Sequence, residues 1–201
     1  MGNLARVRPV LTGCKVRAGR EGRRLNPRHP MEFFDTVKAR RSIRAFAATP
    51  VGGGQMQAIL EAANRAPSAG NLQAYEIYEV TQAGDRKALA RAALEQWFVA
   101  QAPAVLVFCA NPERTAGRYG QRGVRLYAIQ DATIACAFAM LAATALGLAT
   151  VWVGAFDVDA VRRAIGAPAE IEPVAILPVG YAAEEPETTR RRELSDLVHK
   201  V

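Results

Sequence analysis

Ala104-Val105-Leu106-Val107-Phe108-Cys109 is an apolar, β-prone run without a single polar position. An unbroken run of this kind predicts a central strand covered on both faces, because a strand with one wet face alternates. Tyr75-Glu76-Ile77-Tyr78-Glu79-Val80 does alternate, and predicts a strand with one such face. Beyond the apolar run, Val124 to Leu148 reads as one long helix. It is apolar nearly all round from Ile134 onward and is expected in the middle of the domain. Thr150 to Ala155 and Pro173 to Tyr181 read as strands, with Val158 to Ile165 a short helix stopped by Gly166. Asn111 to Gly123, with three glycines and four charged residues, is expected to be a polar, mobile loop.

On the N-terminal side, Phe33, Phe34 and Val37 have the spacing of a short amphipathic helix ending near Arg40, and Ser42 to Phe46 is a short extended piece. Met56, Ile59, Leu60 and Ala63 share a helical face after the Gly52-Gly53-Gly54 triplet. Ala66-Pro67-Ser68-Ala69-Gly70-Asn71 ends that helix, since proline disfavours helix in the residue before it and Gly-Asn tolerates left-handed geometry. Arg86 to Trp97 returns to helical spacing through Leu89, Ala93 and Leu94. Helices alternating with buried strands argue an α/β or α+β fold.

The chain has 201 residues, half of them hydrophobic, and a formal net charge of +7. That length suits one domain. The charge is not evenly spread. Residues 1–30 hold eight basic groups against Glu21 alone, which leaves eighteen of each sign in 31–201. Residues 1–30 are therefore expected to be a basic, flexible arm, and the compact domain to begin at Met31. A basic arm allows a polyanion-binding reading, although such runs are more often simply solvated. Cys14, Cys109 and Cys136 are odd in number and widely spaced, which fits neither a disulfide framework nor a zinc site, and Cys109 and Cys136 lie in apolar runs that suit buried reduced thiols. His29 and His199 stand near the two ends, so a multi-histidine metal site is not expected. The arm has no signal-type apolar core, and a cytoplasmic location is the default expectation.

Arg40-Arg41-Ser42-Ile43-Arg44 sets three guanidiniums and a hydroxyl within five residues, and guanidinium forks bind phosphate in a bidentate way. By itself the motif is equally well a solvated basic turn. Pro67-Ser68-Ala69-Gly70-Asn71-Leu72-Gln73 would let a flat ligand approach the backbone, or simply connect a helix to a strand. No G-x-G-x-x-G follows a strand, and no G-x-x-x-x-G-K-[ST], H-E-x-x-H or G-x-S-x-G occurs. With no Ser/Cys–His–Asp set evident, an enzyme of this sequence would leave its difficult step to an organic cofactor.

Taken in order, Arg40 to Arg44, Ala66 to Gln73, Asp131-Ala132-Thr133-Ile134-Ala135, Leu146 to Phe156, Leu177-Pro178-Val179-Gly180-Tyr181 and Arg191-Arg192-Glu193-Leu194 resemble the nitroreductase family of FMN-dependent flavoproteins. The resemblance runs from about Met31 to Val201. It implies an α+β fold, a mixed sheet flanked by helices, assembled as an intertwined homodimer with two FMN sites at the interface. By position it implies that Arg40, Arg41, Ser42 and Arg44 bind the cofactor, with Arg191 and Arg192 as C-terminal phosphate ligands. It further implies that Pro67, Ser68, Ala69 and Asn71 come from the other subunit to line the isoalloxazine, and that Val153, Gly154 and Ala155 pass beneath it. The implied activity is a ping-pong hydride transfer from NADH or NADPH through flavin N5 to an electron-poor acceptor such as a nitroaromatic or quinone. The alternative within the fold is reductive dehalogenation or a flavin-consuming reaction. Arg44 is expected to help stabilise negative charge on the reduced ring, and no catalytic residue is assigned. One departure is that Ala74-Tyr75 follows Gln73 where many relatives have Pro-Trp, and Gly117 to Gly123 is the expected lid.

Overall fold

The computed structural model describes residues 30–201; the expected arm lies, but for Pro30, outside the described residues. Its central element is β2 (Ala104–Ala110), buried at every position. In the sheet order β1-β2-β4-β3, β2 is an interior strand between β1 (Tyr75–Val80) and β4 (Glu172–Gly180), antiparallel to both. β3 (Ala149–Thr150) lies outside β4. A parallel bridge from Ser42 to Thr150 on the outer edge makes the sheet mixed.

The alternation of a strand divides β2 between two cores. Leu106 and Phe108 meet Ile59 of α2 (Gly53–Asn64) and Ala132, Ala135 and Ala139 of α6 (Ala128–Ala145). Val105, Val107 and Cys109 face the opposite layer, with Leu89 of α3 (Ala83–Ala92), Val99 of α4 (Phe98–Gln101) and Val161 of α7 (Val158–Ala164). Helices thus cover both sides of the sheet, and this is why β2 reads as a continuous apolar run. The buried reduced thiols expected at Cys109 and Cys136 are present, both fully buried.

The segment Thr150 to Ala155 does not form the full strand expected. Thr150 pairs Val179 and Val153 exchanges both backbone hydrogen bonds with Ile176 at 3.0 Å, in one antiparallel register. The next hydrogen-bonded pair in that register is Val151 with Pro178, and proline has no N–H to donate. The ladder is interrupted there.

Helix α3 ends at Ala92 rather than Trp97. Leu94 and Glu95 take positive φ of 56° and 61°. Tertiary bonds stabilise this stop: Asp157 N–H donates to the Ala92 carbonyl at 2.8 Å, and the Gln96 side-chain amide donates to the Ala93 and Ala155 carbonyls.

The polar stretch expected to be a loop is helix α5 (Glu113–Arg122), kinked at Gly120, whose φ of 53° and ψ of −143° suit glycine alone. It runs through a π turn, Gly123–Tyr127, into α6. The continuous helical run Glu113–Ala145 contains a window apolar enough by length and composition to cross a bilayer, while the inner stripe of α6 packs on the sheet. Its outer face is less covered than expected of a mid-domain helix: Ile134, Ala137 and Leu141 are half-buried and Phe138 is 39% exposed.

Candidate functional site

Helix α1 (Phe33–Ala39) ends at Arg40, and the chain turns extended so that Ser42 bridges Thr150 and the Ile43 N–H donates to the Thr150 carbonyl at 3.0 Å. Ile43 is buried beneath the sheet edge, so its neighbours Ser42 and Arg44 point the other way. The C-terminal segment crosses this edge. Ala183 N–H donates to the Ala45 carbonyl, Arg44 N–H donates to the Glu184 carboxylate, and Arg41 Nη2 donates to Thr188 Oγ1 at 3.1 Å. Arg41 also donates to the Lys38 and Arg40 carbonyls, which holds its fork in place.

The crossing encloses a cavity of about 670 Å³ lined by Arg40, Arg41, Ser42, Arg44 and Arg191, together with Lys38 and Glu187. Five cations against one carboxylate give it a lining suited to a compact anion. Arg40 to Arg44 and Arg191, far apart in sequence, are brought together here. Arg192 is not in the lining, and donates instead to the Asp196 carbonyl at 2.6 Å.

Pro67, Ser68, Ala69 and Asn71 do not line this cavity. They form the turn between α2 and β1, with Gly70 and Asn71 at φ of 57° and 58°. The turn is clasped by Asp131, 2% exposed in the first turn of α6. Its Oδ1 accepts from Ala69 N–H at 2.9 Å and its Oδ2 from Ala74 N–H at 3.2 Å. Ser68 Oγ accepts from Gln73 N–H at 3.0 Å. Burial, and then the nearby Asp131 carboxylate, push the Tyr75 hydroxyl above its ordinary pKa. Arg114 and Arg118 of α5 donate to the Leu72 and Gly70 carbonyls at 2.9 and 3.3 Å. A Cβ at Gly70 would stand 2.5 Å from Tyr119 Oη, so the turn passes directly under α5. The clasp and the two arginines escaped the sequence reading. The available signal was a lone carboxylate opening an otherwise apolar helix.

Val153, Gly154 and Ala155 also lie outside the cavity lining. Val153 is bound to β4 and buried, whereas Gly154 and Ala155 are exposed and their N–H groups find no partner among the described residues. The Gln96 side-chain amide donates to the neighbouring Ala155 carbonyl at 3.0 Å.

A family model described as the nitroreductase family matches residues 37–118 and 98–181. A protein of Thermus thermophilus named NADH dehydrogenase is 33% identical over 186 residues, covering 79% of this chain and 91% of that one. The NADPH-flavin oxidoreductase of Vibrio harveyi is 31% identical over 174 residues, covering 83% and 72%. Among solved structures, the Vibrio harveyi NADPH:FMN oxidoreductase complexed with NAD+ superposes with a TM-score of 0.77 at 30% identity, covering 84% of this chain and 76% of that one. NfrA2 of B. megaterium superposes with a TM-score of 0.78 at 28% identity, covering 85% and 74%.

Proposed function

The chain belongs to the nitroreductase family, and we propose that it is an FMN-dependent oxidoreductase of the cytoplasm. It takes hydride from NADH or NADPH and delivers it to an electron-poor small molecule such as a nitroaromatic or a quinone. The observation that carries this reading is the arginine-lined cavity, because convergence of Arg40, Arg41, Arg44 and Arg191 with the Ser42 hydroxyl suits a phosphate monoester.

The residues present fit FMN. The cavity arginines would hold its phosphate, and Ser42 would hydrogen-bond the phosphate or ribityl chain. The Gly154 and Ala155 N–H groups are donors suited to the polar edge of a flat heteroaromatic ring. When bound, FMN supplies the two-electron relay between hydride donor and acceptor. N–H donors around the ring favour the negative charge that reduction brings, whereas Arg44, set among the cavity arginines, is assigned to the phosphate. Protons for the acceptor can come from solvent, so no side chain is required as acid or base.

The reading includes a homodimer in which the Pro67 to Asn71 turn of a second copy completes the ring site. Two features favour it. That turn is absent from the lining of its own chain's cavity, and the outer face of α6 leaves Phe138 exposed beside half-buried Ile134 and Leu141. Flavin absorbance in the purified protein, bleached anaerobically by NADH or NADPH and restored by a quinone, is the expected result. A colourless protein that fails to take up added FMN would overturn the proposal.

A further inference from the structure

Outside the cavity, α5 and the π turn carry a second cationic surface. Residues 113–127 hold Arg114, Arg118, Arg122 and Arg125 against Glu113 alone. Among the described residues none of the four is in a salt bridge. Three of the guanidiniums are nevertheless held in place. Arg114 and Arg118, four residues apart on one helical face, are tied to the Leu72 and Gly70 carbonyls. Arg118 lies over the Tyr119 ring at 5.4 Å. Beyond the kink, Arg122 lies over the Tyr127 ring at 5.5 Å and donates to its hydroxyl at 2.9 Å. The two tyrosines meet edge to face with centroids 5.1 Å apart, joining the two halves of the cluster.

Exposed arginines fixed by carbonyls and aromatic faces, with donors left over and no carboxylate paired with them among the described residues, form a preorganised anion site. The turn they rest on is the one assigned above to the flavin ring, so an anion held here lies beside the entrance to that ring. We propose that Arg114, Arg118 and Arg122 bind phosphate groups of the nicotinamide dinucleotide and thereby select phosphorylated hydride donors. The inference rests on the hydride-donor reading, but its test does not depend on turnover.

The probes are 2′,5′-ADP, 5′-ADP and adenosine, titrated calorimetrically into the full-length protein and its Arg118→Gln variant. The two phosphorylated probes are expected to bind, and Arg118→Gln to weaken at least one of them by roughly tenfold or more. An effect on 2′,5′-ADP alone assigns the cluster to the 2′-phosphate. An equal effect on 5′-ADP assigns it to the pyrophosphate. Adenosine affinity should not change. Arg122→Gln, whose guanidinium touches Tyr127 rather than the turn, carries the same expectation if Arg118→Gln does not fold. In turnover, either variant should raise KM for NADPH or NADH by a larger factor than KM for a phosphate-free dihydronicotinamide. Unchanged affinity for both phosphorylated probes overturns the inference, as does an equal loss for adenosine. A protein that binds these probes yet takes up no FMN would overturn the functional proposal and leave the phosphate site standing.

Discussion

Replacing Asp131 with alanine tests whether one buried carboxylate sets the shape of the turn at 67–73. Asp131 is 2% exposed, and its two oxygens accept from the Ala69 and Ala74 N–H groups at 2.9 and 3.2 Å. Ala74 is fully buried, so its N–H has no access to water once the acceptor is gone. A hydrogen bond to a charged group contributes about 1.5–3 kcal/mol, and a buried donor left unpaired costs about the same. Two such bonds put the loss at about 3–5 kcal/mol, a large fraction of the roughly 5–15 kcal/mol of a typical domain. Asp131→Asn keeps one acceptor oxygen but turns an amide N–H toward a backbone N–H, and should cost about 2 kcal/mol. Urea denaturation gives the stability change, and hydrogen exchange at the Ala69 and Ala74 amides reports the clasp itself. The expected pattern is loss of protection at those two amides together with the global destabilisation. A loss below about 1 kcal/mol in Asp131→Ala, with both amides still protected, would show that the carboxylate does not hold the turn.

The other predictions concern the cavity, the thiols and one orphan hydroxyl. Arg44→Ala and Arg191→Ala should each weaken FMN binding by roughly 10- to 100-fold, the value of one charge-assisted contact, measured by flavin fluorescence; unchanged affinity in both would remove the phosphate assignment. Burial raises the Cys109 thiol from its ordinary 9.0 to about 12 and pushes Cys136 up further, so both stay protonated in the folded state while the unfolded chain ionises them. Stability should then be unaffected by the thiols below pH 9 and fall between about pH 9 and 12 by up to about 2.7 kcal/mol per pH unit. Denaturation at several alkaline pH values should show that slope reduced in a Cys109→Ala/Cys136→Ala variant, and an unchanged slope would contradict it. Among the described residues, buried Thr150 Oγ1 has no hydrogen-bond partner. Thr150→Val should therefore stabilise by about 1 kcal/mol, seen as a raised Tm, and a lowered Tm would show that the hydroxyl has a partner in solution.

Much of the fold was legible wherever one local signal dominated. The run 104–109 announced the strand that both layers cover, Met56, Ile59 and Ala63 marked the inner face of α2, and Pro67 with Gly70 marked the turn. The failures lie where distant residues override local preference. The glycines and charges of 111–123 read as loop, but Thr115 is fully buried and the arginines find carbonyls on the 69–72 turn, so the segment is helical. The strand after Thr150 depends on what β4 offers it, and Pro178 withdraws the donor. Helix α3 stops at Ala92 because Gln96 and Asp157 take up its terminal carbonyls from outside the helix.

The same division holds for the candidate site. Which residue types could meet an anion is readable along the chain, since three guanidiniums in five residues and a second arginine cluster near the end are visible without coordinates. The folded chain settles that Arg191 joins Arg40, Arg41 and Arg44 around one cavity while Arg192 does not, because the C-terminal segment crosses the sheet edge, with bonds to Ala45 and from Arg41 to Thr188. It also decided that Asp131 holds the 67–73 turn and that Arg114 and Arg118 rest on it. Side-chain chemistry is carried by the residue, but a binding site is a convergence of distant segments, and convergence is set by packing.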